Sequence, residues 1–407
     1  MHRSRLYGGL LAALAITFAL AGVSNANASS PEGSPWIVSL GDSFISGEAG
    51  RWAGNTNESF KLTDALGPGA YFDNSDGTAE KIKGCHRSQS AAVHIGSRWA
   101  QSRNFACSGA ITTTIARDEA GNFKPGIDFY EGSEGVGQLV SLRDFARTHN
   151  VEVIAVSIGG NDFNFAPIIK ACLSRFLFSS SLAKKYCKDD PAVTNNFNDE
   201  NVAVRTEAIR QAYQRIGEAM QQAGYKEREY KILAQDYPEV VPPSSLIRYR
   251  EATFKRQSVG GCGLYNKDID WALATALPAI SNAVDRATRT SGLGNIRRLE
   301  LNDAFRGHRL CERGAKLVEK DPGRWNMDGA VDTAEWVSQI RTLSTIGGPY
   351  YLEEGLHPNY WGQLALRSCV RWAFRALMDD DPRTRARCVA NGNGLNGRGE
   401  PRMRLVE

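Results

Sequence analysis

The stretch "VEVIAVSIGG", residues 151–160, most limits what this chain can become. It is nearly all apolar, rich in β-branched residues, and stops at two glycines. A strand with one wet face would alternate apolar and polar positions. This run instead fits a strand covered on both faces, as in a parallel sheet flanked by helices. Other segments agree. Residues 36–40, 104–107, 231–234 and 296–301 read as strands. Between them, residues 88–100 ("SQSAAVHIGSRWA"), 136–148, 202–223, 271–288 and 360–378 carry helical spacing, with a bend expected at Pro278. Strands alternating with helices predict an α/β fold with a central parallel sheet. Right-handed crossovers then line up the strand carboxyl ends on one edge, where such sheets bind ligands.

The first residues are read as a targeting segment. Arg3 and Arg5 precede an Ala/Leu-rich stretch, Gly8 to Gly22, and Ala26-Asn27-Ala28 offers an A-x-A cleavage site. That pattern predicts a secretory signal peptide over residues 1–28. The apolar run is shorter than the roughly 20 residues a membrane anchor needs, and no later segment is long and apolar enough to span a bilayer. No internal repeat or Pro- or Gly/Ser-rich linker divides the rest, so residues 29–388 are expected to form one domain with long loop insertions. Those insertions are residues 51–84, 112–135 and 311–348, the last with one short helix around "DTAEWVSQI". Residues 389–407 have little apolar content and are expected to be disordered. The net charge is +4, and loss of Arg3 and Arg5 leaves +2. No Lys/Arg cluster with interleaved aromatics points to nucleic acid. Eight cysteines, an even number, read as disulfides in a secreted chain. They allow 105 pairings, of which the sequential one is the simplest.

Four small turns carry the chemistry. "WIVSLGDSFISG" ends a strand at Gly41 and presents Asp42 and Ser43. "NFACSGA" reaches Ser108 and Gly109, "VSIGGND" ends at Gly159-Gly160-Asn161-Asp162, and "EEGLHPNYWGQLA" sets His357 before the last helix. Taken alone, Asp42 or Ser43 could simply cap the next helix, and Asn161 could be a turn residue. Together they supply what acyl transfer needs: a hydroxyl nucleophile (Ser43), a base (His357) and donors for an oxyanion. The donors would be the backbone N–H groups of Ser43 and Gly109 and the side-chain amide of Asn161. Ile45 stands where a G-x-S-x-G elbow would need its second glycine. His86 and His308, beside cysteines, are read as local hydrogen-bonding residues, and His94 and His149 as helix-surface residues. No H-E-x-x-H or EF-hand pattern appears, so neither metal nor cofactor is expected.

These residues resemble the GDSL family of the SGNH hydrolases, named for the serine, glycine, asparagine and histidine of four blocks. The blocks fall in order at Gly41-Asp42-Ser43, Gly109, Gly159-Gly160-Asn161-Asp162 and Glu354-Gly355-Leu356-His357-Pro358. "CHRS" at Cys85, "HRLCERG" around Cys311 and "HPNYWGQ" look like the secreted actinobacterial lipases and esterases of this family. The resemblance covers residues 36–378, less the insertions. It implies a flavodoxin-like three-layer α/β/α sandwich and carboxylic ester hydrolysis through a Ser43 acyl-enzyme. It also matches three of the sequential disulfides, Cys85–Cys107, Cys172–Cys187 and Cys262–Cys311, with Cys369–Cys388 as an extra pair. One departure matters. The family's fourth block carries an aspartate three residues before the histidine, and here that position is Glu354, one methylene longer. Glu354 is expected to orient His357, although some secreted relatives resemble a dyad in which a backbone carbonyl does so.

The sequence therefore predicts a secreted, monomeric serine ester hydrolase acting on small-molecule or lipid esters, fatty-acyl lipids and phospholipids first. The alternatives are a carbohydrate deacetylase or short-acyl esterase of the same family, and a non-catalytic disulfide-rich binding protein.

Overall fold

The computed structural model describes residues 30–179, 183–319, 323–341, 351–381 and 383–407. The expected signal peptide lies outside them. Seven strands form the main sheet: β1 Trp36–Gly41, β2 Gln101–Asn104, β3 Val151–Ser157, β4 Lys231–Gln235, β5 Ile296–Glu300, β6 Arg385–Leu395 and β7 Pro401–Val406. Their spatial order is β2-β1-β3-β4-β5-β6-β7. Every pairing is parallel except the terminal β6–β7 hairpin. The first five strands thus follow the flavodoxin-like order 2-1-3-4-5, whose switch point lies between β1 and β3.

The apolar character of β3 has the expected consequence. Of its residues only Glu152 is less than buried. Alternate residues feed two cores. Val38, Leu40, Ile154 and Val156 pack with Leu139 and Leu142 of α2 (Gln138–Ala146), Ile209, Tyr213 and Ile216 of α4 (Asp199–Gln222) and Ile280 and Val284 of α5 (Leu277–Thr290). Ile37, Val153, Ala155, Leu233 and Leu299 pack on the other face with Leu364, Val370 and Phe374 of α6 (Tyr360–Met378) and with long loops. The result is a three-layer α/β/α sandwich. Each such aliphatic side chain contributes about 1.5–3 kcal/mol on burial. Two further helices matter at the sheet edge: the short α1 (Ser43–Ser46), directly after β1, and α3 (Phe165–Phe178). The long helices start where their caps sit. Asn198 accepts from the Asn201 N–H ahead of α4, and Asn359 accepts from the Gly362 N–H in α6, each satisfying a donor with no partner inside the helix.

Several sequence expectations are corrected here. Residues 88–100 form turns, not a helix. Their serines divert the backbone: Ser90 N–H donates to Ser88 Oγ, and Ser90 Oγ donates to the Gly50 carbonyl. The Ala91 carbonyl accepts from the His94 N–H of a turn and from the Arg367 guanidinium, and the Ile95 carbonyl accepts from the Arg371 guanidinium. β2 lies three residues earlier than expected, at Gln101–Asn104. The irregularity expected at Pro278 falls just before it, as a widened π turn over Ala272–Ala276. The only helix in the "DTAEWVSQI" region that the structure describes is Ala330–Thr333.

The largest correction concerns residues 389–407, which are ordered as most of β6 and all of β7. An edge hairpin needs only one apolar face, so low apolar content does not forbid it. Met403 and Cys388 are buried in the core under α6. Glu400 forms a buried ion pair with Arg371 of α6. All four sequential disulfides are present, Cys85–Cys107, Cys172–Cys187, Cys262–Cys311 and Cys369–Cys388, and the last ties α6 to β6. Among the described residues, no helix is long and apolar enough to cross a membrane.

Candidate active site

β1 ends at Gly41 because nothing larger fits. Its φ is +130°, and a Cβ there would meet the Ser157 carbonyl oxygen at 1.9 Å. Gln138 of α2 holds the same turn, accepting from the Gly41 N–H (2.7 Å) and donating to the Gly41 carbonyl (2.9 Å). Asp42 then caps α1, accepting from the Phe44 N–H at 3.1 Å. Ser43 is the first helical residue, so its own N–H has no acceptor within the helix. Asp42 is buried, accepts from the Tyr237 hydroxyl at 2.5 Å, and has its pKa raised to about 7, mainly by burial.

His357 comes to Ser43 from the other end of the chain. Its Nε2 lies 2.7 Å from Ser43 Oγ, and its Nδ1 lies 3.2 Å from the Gly355 carbonyl oxygen. Nδ1–H donating to that carbonyl leaves Nε2 with a lone pair toward the serine hydroxyl. The backbone around His357 is fixed on both sides. Leu356 N–H donates to the Ser338 carbonyl, and Ser338 N–H donates to the His357 carbonyl, each at 2.9 Å. Leu356 adopts φ +65°, a costly conformation for a residue with a Cβ, held here by those bonds. Gln363 of α6 donates to the Phe44 carbonyl at 3.0 Å, so the histidine's helix is tied directly to α1.

Gly109 and Asn161 line the same cavity as Ser43 and His357. Gly109 has φ +79° and follows the Cys85–Cys107 bridge, with the Ser108 N–H donating to the Cys85 carbonyl at 3.0 Å. Asn161 sits after Gly159, where a Cβ would meet Ile209 Cδ1 at 2.6 Å. One amide hydrogen of Asn161 goes to the Ala110 carbonyl at 3.0 Å, which leaves the second for a ligand. The turns after β1 and β3 thus flank the switch point, and the turn beyond β2 joins them. The cavity has a volume of about 1230 Å³. It runs away from Ser43 along apolar walls that include Phe165, Ile168, Leu173, Val240, Leu277 and Ile280. Among the described residues, no group of three or more His, Cys, Asp or Glu side chains is arranged to hold a metal ion.

Glu354 is corrected. It does not orient His357. Its carboxylate accepts from the Tyr71 hydroxyl (2.6 Å), the Trp52 indole N–H (2.8 Å) and the Tyr351 N–H (3.1 Å). It is buried with its pKa raised to about 7, chiefly by desolvation. It pins the segment before His357 to the loop after α1. The acceptor beside His357 Nδ1 is instead the carbonyl of Gly355.

Sequence reasoning missed Glu48. This buried carboxylate places Oε2 3.7 Å from His357 Nε2 and 2.5 Å from Ser108 Oγ, and Oε1 3.0 Å from His86 Nδ1. His86, read as a local residue near a bridge, therefore belongs to the wall of the site. A hint was available in "GDSFISGEAG", where an acid between small residues follows Ser43 by five positions. The expectation for His94 also fails, since no helix forms there and its ring meets Ser102 Oγ at 2.9 Å.

No protein-family model and no curated protein matches this chain. Among solved structures it is similar to an extracellular lipase from Streptomyces rimosus, at 18% identity and TM-score 0.43, covering 81% of this chain and 95% of that one. It is also similar to phospholipase A1 from Streptomyces albidoflavus, at 16% identity and TM-score 0.38, covering 85% and 99%. A third is a family 2 carbohydrate esterase with a carbohydrate-binding domain from Corynascus thermopiles, at 12% and 0.39, covering 86% and 68%. These scores are low, and the class of this protein rests on its own sheet order and cavity: an α/β protein with a flavodoxin-like strand order that brings Ser43, Gly109, Asn161 and His357 to one cavity.

Proposed function

We propose that this chain is a secreted serine hydrolase of carboxylic esters, of the GDSL type. The single observation that carries this reading is the 2.7 Å approach of His357 Nε2 to Ser43 Oγ at the mouth of a cavity lined by Gly109 and Asn161. His357 takes the serine proton as Oγ attacks the ester carbonyl. The oxyanion is received by the N–H groups of Ser43 and Gly109 and the Asn161 amide. His357 then protonates the leaving alcohol and activates the water that releases the acid. The apolar cavity favours a fatty-acyl chain, so lipids and phospholipids are the proposed substrates. The four disulfides support an oxidising, extracellular setting.

Ser43→Ala should abolish turnover while leaving the melting temperature near that of the wild type. A fluorophosphonate should label Ser43 alone, and labelling elsewhere would sink the assignment. A panel of p-nitrophenyl esters of rising chain length, beside phosphatidylcholine and lysophosphatidylcholine, tests the substrate. Preference for acetyl over long-chain esters would favour a short-acyl esterase or deacetylase.

A further inference from the structure

An imidazole base works only if the cation it becomes is stabilised. In this dyad the Nδ1 side offers the Gly355 carbonyl, a neutral dipole. The only ion pair of His357 among the described residues is on the Nε2 side, with Glu48 at 3.7 Å. We propose that Glu48 is a positioning residue of the hydrolase, supplying the negative charge that stabilises the His357 imidazolium and fixing the turn that carries the oxyanion donor Gly109. The proposal rests on the Ser43–His357 reading above.

The placement is built into the backbone. Gly47 ends α1 with φ +97°, and a Cβ there would meet those of Ser88 and Ala91 at 2.8 and 2.9 Å. The N–H groups of Gly47 and Glu48 both turn back to the Ser43 carbonyl, at 3.3 and 3.2 Å. Ala49 follows with φ +63°. This tight reversal drives the Glu48 side chain inward, beneath the nucleophile, where it is 1% exposed. Burial by itself would favour the neutral acid. The field of His357 and the hydrogen bond with His86 outweigh it, and the Glu48 pKa is held at about 2. Glu48 exchanges no proton in the reaction. The serine proton moves from Oγ to Nε2 and on to the leaving alcohol, while the carboxylate stays ionised. Its second contact, Ser108 Oγ at 2.5 Å, joins the turn after β1 to the residue preceding Gly109.

Other titratable groups share this wall. His86 has Glu80 3.6 Å from its Nε2. Tyr351 and Tyr71 lie against the His86 ring, Glu354 lies behind Tyr71, and Asp42 lies beside Ser43.

The test is the pH profile of kcat/KM on a soluble short-chain ester. Activity needs neutral His357, and under the proposal the acidic limb depends on the carboxylate 3.7 Å from its Nε2. Glu48→Gln keeps the shape of the side chain. It should lower kcat about tenfold or more with little change in KM, and move the acidic limb downward by about one pH unit. An unmoved or raised limb overturns the proposal, even if kcat falls, because a loop-holding role would not shift the limb that way. Should Glu48→Gln fail to fold, Glu48→Asp decides. Its charge is withdrawn by one methylene, so the limb should move part of the way, and an unchanged limb again overturns the proposal. His86→Asn is measured alongside, and a limb that vanishes with His86 counts against the proposal. Ser43→Ala and His357→Ala separate the two readings. If either keeps turnover, the dyad itself is wrong. If both are inactive while the Glu48→Gln limb stays in place, only the role of Glu48 fails.

Discussion

Glu354 and Glu48 show how little separates an orienting acid from a structural one at the scale of a residue. Glu354 stands at the right sequence distance from His357, yet its two oxygens are taken by Tyr71 and Trp52. Glu354→Gln should therefore cost less than about tenfold in kcat, roughly 1.4 kcal/mol of barrier. Loss of a true triad acid costs orders of magnitude. Steady-state kinetics beside an inactive His357→Ala variant checks this, and a thousandfold loss would restore Glu354 to the machinery. Gly41 makes the opposite point. Its place in the GDS block reads as chemistry, but its requirement is steric, because a Cβ would overlap the Ser157 carbonyl. Gly41→Ala should lower stability as well as activity.

At the scale of an element, α6 does two jobs. The segment just ahead of it carries His357, and its amino end ties to α1 through Gln363. Toward its carboxyl end it holds the terminal hairpin, through Cys369–Cys388 and the buried Arg371–Glu400 pair. Breaking a buried pair from one side leaves an uncompensated charge and typically costs about 3–5 kcal/mol. Glu400→Ala should lower the urea midpoint accordingly, with the loss largest at amides of β7 in hydrogen exchange. A midpoint within error of the wild type would mean that the hairpin contributes little to the domain. Esterase activity at low denaturant should survive, since the hairpin lies four strands away from β1 in the sheet.

Across the whole molecule, buried carboxyls set the pH response. Burial raises the Asp42 and Glu354 pKa values from their ordinary 3.8 and 4.5 to about 7. Each therefore holds a proton in the folded state that the unfolded chain has already released, and the stability this contributes is present at low pH and lost as pH rises toward 7. Glu48 acts oppositely: its stabilisation is present above about 4.5 and lost as pH falls through about 2. Thermal melts should therefore show a maximum on the acid side of neutrality, and Glu354→Gln should flatten the decline between pH 5 and 8. A melting temperature that rises steadily from pH 5 to 8 would contradict these assignments. The disulfides add a second whole-molecule term. The loop between Cys172 and Cys187 spans 15 positions, and a bridge over about 15 residues is worth roughly 3 kcal/mol. Reduction of all four should lower the melting temperature by many degrees, with eight thiols titrating afterwards.

By itself the sequence determined what depends on local pattern. The apolar run at Val151–Ser157 announced a doubly covered strand, the bounds of α6 followed from its helical spacing, and turns at strand ends drew attention to Ser43, Gly109 and Asn161. His357 was legible from its place just before the last helix and from the block that resembles the GDSL family. Tertiary structure alone decided which acid faces the imidazole. That choice depends on the reversal at Gly47 and Ala49 and on Trp52 and Tyr71 reaching Glu354 across some 280 to 300 residues of chain. It also decided the fate of the last residues. A hairpin with one apolar face gains its stability from α6 beneath it, and no window along residues 389–407 contains that partner.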